Sequence, residues 1–212
     1  MIGGRAGAAT LEGDEIYFDV LATSYRAVKG TLDYPTPVQV SEYFAHETHH
    51  VSLSQILNRT RSRLRLNNRE QRAFSFLTAL VMEGSASYFI NGHRSLEAMR
   101  HDPQFMENFE KENELQRLSQ QVLRSVLETG LDGEPYEKAT TPFLGSGWHV
   151  AGALMLAPID EAEGLGAVMK VLRDPRKLLV TFNRATAKLK STSARTSFDK
   201  SLAKRISCMG AN

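Results

Sequence analysis

Apolar residues that recur every three or four positions, framed by helix-start and helix-stop signals, limit most strongly what this sequence can become. Leu115, Leu118, Val122 and Val126 form one such stripe, and Phe74, Leu77, Leu80 and Val81 form another. A period of 3.6 residues puts such positions on one face of an α-helix. Thr36 before Pro37 offers a capping hydroxyl and a proline at the first helical position, which predicts a helix over residues 37–57. Val40, Phe44, Val51 and Leu53 supply much of its apolar surface. Asn68, three residues before Gln71, has the form of a capping box and opens a second helix toward Ile90, ended by Asn91-Gly92. Asp102-Pro103 starts a third, long and amphipathic, that Gly130 ends. Residues 130–142 read as a loop. Residues 147–157 read as a tightly packing helix rich in small side chains. Residues 161–172 and 175–183 read as two more helices, the second capped by Asp174. Only residues 15–22, with Ile, Tyr, Phe and Val, have strand character. The expected fold class is mainly α, with at most a short N-terminal strand or small sheet.

The chain divides by composition into three segments. Residues 1–35 hold a Gly- and Ala-rich start, expected to be partly disordered, and the possible strand. Residues 36–183 carry the helical pattern. Residues 184–212 hold seven Lys or Arg against one acid, Asp199, and read as a basic, flexible or weakly helical tail. The formal net charge of +2 over 212 residues gives no field that would draw nucleic acid. The single cysteine, Cys208, excludes an internal disulfide and a cysteine-based zinc site. No run of 18 apolar residues occurs and the start lacks a secretory pattern, so the expectation is no membrane span and a cytoplasmic location.

The chemistry concentrates in Ala45-His46-Glu47-Thr48-His49-His50. Four residues of helix place His46 and His50 about 40° apart around the axis and about 6 Å apart along it. Two imidazoles so placed reach one metal ion. Glu47, directly after the first histidine, stands where a general base must be to take a proton from water. The bland reading is two histidines on a polar helix face. A catalytic zinc also wants a third protein ligand and an open position. The next helix offers Glu83, a carboxylate in an otherwise apolar stretch, which needs a cation as partner. That cation is either the metal or one of the arginines between residues 59 and 72.

His-Glu-Thr-His-His on one helix, followed by Glu83-Gly84-Ser85-Ala86-Ser87-Tyr88 on the next, resembles the gluzincins, thermolysin-like metallopeptidases that use HExxH with a downstream Glu. It resembles more closely bacterial zinc-dependent peptidase families of unknown substrate, whose second motif reads Glu-Gly-x-Ala-x-Tyr. These families also carry a Gly-aromatic-x-x-Ala segment, here Gly147-Trp148-His149-Val150-Ala151, then a Gly-containing helix around Gly164-Leu165-Gly166, then Asp174-Pro175. The resemblance spans roughly residues 36–183. It implies a zincin-like helical domain that hydrolyses peptide bonds, with His46, His50 and Glu83 as Zn2+ ligands and Glu47 as base. Two positions depart from the pattern. Many gluzincins place an acidic residue four after the ligand Glu, and Ser87 stands there. Trp148 replaces the usual Tyr, beside His149. Trp148 and His149 are the candidate donors to a developing oxyanion.

Three other readings remain open on the residues alone. One is a helical metal hydrolase with a non-peptide substrate and three histidines, His149 or His93 replacing Glu83. Another is a non-catalytic zinc-binding module derived from such a peptidase. The last is an interaction protein acting through the basic tail. His49 is expected to face a loop or solvent. His93 and His101 are expected on the surface, and Tyr88, Met155 and Met169 in the core.

Overall fold

The computed structural model describes residues 9–12, 15–18, 36–189 and 197–211. The fold is mainly α: the described residues form ten α-helices and one two-stranded hairpin. Contacts within the chain divide it into two units, Met1–Ser54 and Gln55–Asn212.

In the first unit, strand β1 (Ala9–Glu12) pairs antiparallel with β2 (Glu15–Phe18), in a register that sets Ala9 opposite Phe18 and Glu12 opposite Glu15. The expected strand over 15–22 thus runs to Phe18, and residues 19–22 lie outside those described. Helix α1 (Pro37–Ser62), whose residues after Ser54 belong to the second unit, follows Thr36, whose carbonyl accepts from the Val40 N–H at 3.0 Å. The helix runs five residues past the expected end. No breaker interrupts it there, and Arg59 and Arg61 suit the negative end of the helix dipole.

In the second unit, α2 (Asn68–Ala86) is the central helix. Ala73, Phe74, Phe76, Leu77, Leu80 and Val81 are all buried along it. By length and composition Asn68–Asn91 also suits a membrane span, and 61% of its most apolar window is buried inside the protein, as in a core helix. The capping box is Asn67 with Glu70, one residue before the expected Asn68 with Gln71. The Asn67 side chain accepts from the Arg69 and Glu70 N–H groups, and Glu70 accepts from the Asn67 N–H at 3.0 Å. A carboxylate accepts that bond better than an amide, and Gln71 instead donates to the Leu66 carbonyl.

The remaining helices are α3 (Leu96–His101), α4 (Met106–Glu110), α5 (Glu112–Thr129), α6 (Gly133–Thr140), α7 (Gly147–Glu163), α8 (Leu165–Arg173), α9 (Leu178–Lys188) and α10 (Lys200–Ser207). Four sequence expectations are corrected here. The long helix expected from Asp102 is a turn followed by two helices, α4 and α5. Asp102 ends α3 instead of starting a helix, because Pro103 disfavours helical backbone at the residue before it. Phe105 and Phe109 bury their rings in the turns that follow. The segment read as a loop contains α6 and a 3-10 turn over Thr141–Phe143, anchored by buried Phe143. The helices expected over 147–157 and 161–172 divide elsewhere: α7 continues through Pro158 to Glu163, and Gly164, at φ 75°, separates it from α8. Residue 184 lies inside α9, and α10 buries Leu202, Ala203 and Ile206, with Phe198 and Met209 buried on either side. Asp199 caps α10, and the Asn183 side chain bonds both backbone groups of Phe198. Lys200, Lys204 and Arg205 are exposed on the outer side of α10.

Two contacts set the packing of the second unit. Helix α7 lies on α2 with Gly84 facing Gly152. A Cβ at Gly152 would fall 1.9 Å from the Leu80 carbonyl oxygen, and one at Gly84 would fall 2.3 Å from the Gly152 carbonyl carbon. The two backbones touch, and only glycine permits this. At the C-terminal end of α5, three guanidiniums bond the last carbonyls: Arg69 to Glu128, Arg72 to Leu131 and Arg205 to Leu127. Gly130 turns left-handed there, at φ 74°, as the sequence predicts.

Two outcomes follow from this packing. Gly152→Ala forces the helices apart, and thermal unfolding should show a loss of about 2 kcal/mol or more, an overpacking effect. The second concerns Glu163, which Arg184 and then Lys188 bind, holding its carboxyl down from 4.5 to about 2. The folded value lies below the unfolded one, so the stabilisation is present above about pH 4.5 and is lost as pH falls toward 2. Melting curves taken between about pH 6 and about pH 2.5 should show a shallower decline in Glu163→Gln than in the wild type.

Candidate metal centre

In the first unit, α1 carries the His-Glu-Thr-His-His run on regular helix. The rings of His46 and His50 lie edge to face with centroids 4.6 Å apart. His50 is buried, at 7% exposure, while His46, Glu47 and His49 are half-buried and Thr48 is exposed. The His49 ring lies 6.3 Å from that of His50, farther than the His46 ring. The four-residue spacing thus brings two imidazoles into ring contact on one face, with a carboxylate next to the first of them.

In the second unit, Glu83 and Ser87 are one turn apart on the face of α2 that meets α7. His149 and Trp148 lie in the first turn of α7. The glycine contact explains why side chains from the two helices reach one another: Gly84 lies between Glu83 and Ser87, and Gly152 lies one turn after His149. Glu83 Oε2 is 3.4 Å from His149 Nδ1, and Ser87 Oγ is 2.7 Å from the same nitrogen. The sequence suggested a buried carboxylate at position 83; the Glu83 side chain is 30% exposed. The rival arginine pairing is not what its nearest neighbours do, since Arg69 and Arg72 bond the end of α5. Trp148 packs its ring against Phe76 and Phe143, at centroid distances of 5.0 and 4.8 Å. His93 and His101 are exposed, and His101 pairs with Glu97.

Beyond Ala86 the helix changes character. Ser87–Asn91 forms a π turn, in which the Gly92 N–H reaches the Ser87 carbonyl at 2.7 Å. His93 and Arg94 then adopt left-handed backbone, at φ 47° and 65°. That conformation costs about 1–2 kcal/mol for each residue with a side chain. The Arg94 guanidinium holds the segment by gripping both oxygens of Asp160 on α7, each at 2.9 Å. The Tyr88 hydroxyl bonds the same carboxylate at 3.3 Å, and burial followed by that negative charge pushes its pKa up to about 12. The sequence reading placed Tyr88 in the core but missed this network. Its three members are 6 and 66 residues apart, with no local pattern linking them.

The donors are therefore imidazole nitrogens and carboxylate oxygens, the chemistry that zinc prefers where no thiolate is present. A family model described as "Putative zinc dependent peptidase (DUF5700)" matches residues 1–191. No curated protein and no solved structure matches the chain. The family match covers both the His-Glu-Thr-His-His helix and the Glu83 and His149 pair, and on it the chain belongs to this family.

Proposed function

We propose that this chain is a gluzincin-type peptidase in which His46, His50 and Glu83 hold zinc and Glu47 is the general base. The observation that carries the reading is the pair of imidazoles on one turn of α1, with ring centroids 4.6 Å apart beside a carboxylate. The family supports zinc as the metal and a peptide as the substrate. Two imidazoles and a carboxylate make the donor set of a catalytic zinc, which keeps its fourth position open.

When bound there, zinc supplies Lewis acidity, which makes water acidic enough to react near neutral pH and polarises a peptide carbonyl. Glu47 accepts the proton from the attacking water and passes it to the departing amine. The carbonyl oxygen gains negative charge as water adds, and an N–H donor aimed at it lowers the barrier. His149 and Trp148 are the proposed donors. The contact with Glu83 supports His149, because it sets the ring beside a proposed ligand. The Trp148 ring, set between Phe76 and Phe143, supports a role in walling the site with apolar surface.

Elemental analysis of the purified protein should find about one zinc per chain, as a single-ion site requires. His46→Ala and Glu83→Ala should each lose it. Glu47→Gln should keep the zinc and slow peptide hydrolysis by roughly 10²–10⁴-fold, the usual contribution of a general base. A wild-type chain that takes up no zinc after loading and dialysis would overturn the reading.

A further inference from the structure

Ser87 is fully buried, and its hydroxyl is 2.7 Å from His149 Nδ1. Glu83 Oε2 approaches the same nitrogen at 3.4 Å. A carboxylate only accepts hydrogen bonds, whereas a serine hydroxyl donates or accepts. Both oxygens are satisfied together when the hydrogen is on Nδ1. In the neutral ring, Nε2 then carries the lone pair. The backbone fixes this arrangement from both sides. The contact of Gly84 with Gly152 sets the distance between the helices. The π turn that begins at Ser87 is held by Arg94 and Tyr88 on Asp160, which is on α7, the helix that carries His149. π turns of this kind recur at functional sites, where they re-aim one side chain within a helix.

We propose that Ser87 is a positioning residue for His149. With Glu83 it holds the hydrogen on Nδ1 and fixes the ring in one orientation, so that as a donor to substrate His149 must use Nε2, carrying a second proton there. The role toward substrate rests on the peptidase reading above; the tautomer rests only on the contacts around Nδ1.

The test is a long-range 1H–15N correlation spectrum of the full chain with 15N-labelled histidine, at about pH 8, above the usual imidazole range. His149 is assigned by comparison with His149→Gln. The expected wild-type pattern is Nδ1–H. Ser87→Ala, with its fold checked by circular dichroism and melting, should lose that preference, and Ser87→Thr, which restores a hydroxyl, should regain it. On an active preparation Ser87→Ala should lower kcat about tenfold or more, with KM unchanged and zinc content retained, as for loss of a hydrogen bond that orients a functional side chain. An Nε2–H pattern in the wild type, an unchanged pattern in Ser87→Ala, or zinc bound at Nδ1 after loading would overturn the proposal. Zinc content of the same samples reports separately on the peptidase reading: an Nδ1–H ring in a chain that binds no zinc sinks that reading and leaves the tautomer assignment standing.

Discussion

The contact of two backbones at Gly84 and Gly152 is the constraint on which the second unit depends. Helices with ordinary side chains between them pack with axes 8–10 Å apart, and the absence of both Cβ atoms here lets α2 and α7 approach until main-chain atoms touch. Polar side chains that flank such a contact are short of room and must meet each other. Glu83, Ser87 and His149 do so, and so do Tyr88, Arg94 and Asp160 one to two turns farther along. Both polar clusters are consequences of one close approach. The core around it, with Phe76, Leu77, Leu80, Phe143 and Val150, supplies the rigidity that holds them.

Much of this was legible in the sequence because helix signals are local. The proline that opens α1, the glycine after α5 and the aspartate before Pro175 each act within one turn, and each stands at its expected place. The His-Glu-Thr-His-His spacing was legible for the same reason. Less local effects escaped. The apolar residues Phe198, Leu202 and Ile206 recur every four positions, the mark of a helix, but the surrounding Lys, Arg and Ser masked it and suggested a tail. The break at Lys111 follows two buried rings, Phe105 and Phe109, and Phe105 lies 5.9 Å from the ring of His149, a neighbour that no local pattern announces.

Ser87 shows the limit most clearly. Against the gluzincin pattern it is a departure, a neutral side chain where an acid is expected. In the structure it has a partner, but on α7, sixty-two residues away. The spacing from Glu83 told which face of α2 it would share. It could not tell what lay opposite, since that follows from the glycine contact and not from any property of residues 83–87.

The C-terminal helix bears on a different matter, the boundary of the protein as a physical object. The family match stops at residue 191, and α10 begins at Lys200. Yet Arg205 closes the end of α5, the Asn183 side chain clasps Phe198, and Arg176 bonds the Met209 carbonyl. A chain cut where the family resemblance fades would therefore lose a cap on one helix and leave apolar surface of α9 open to water. Kinship in sequence and packing draw their edges in different places here, and residues 197–211 pack with the second unit although they fall outside the family match.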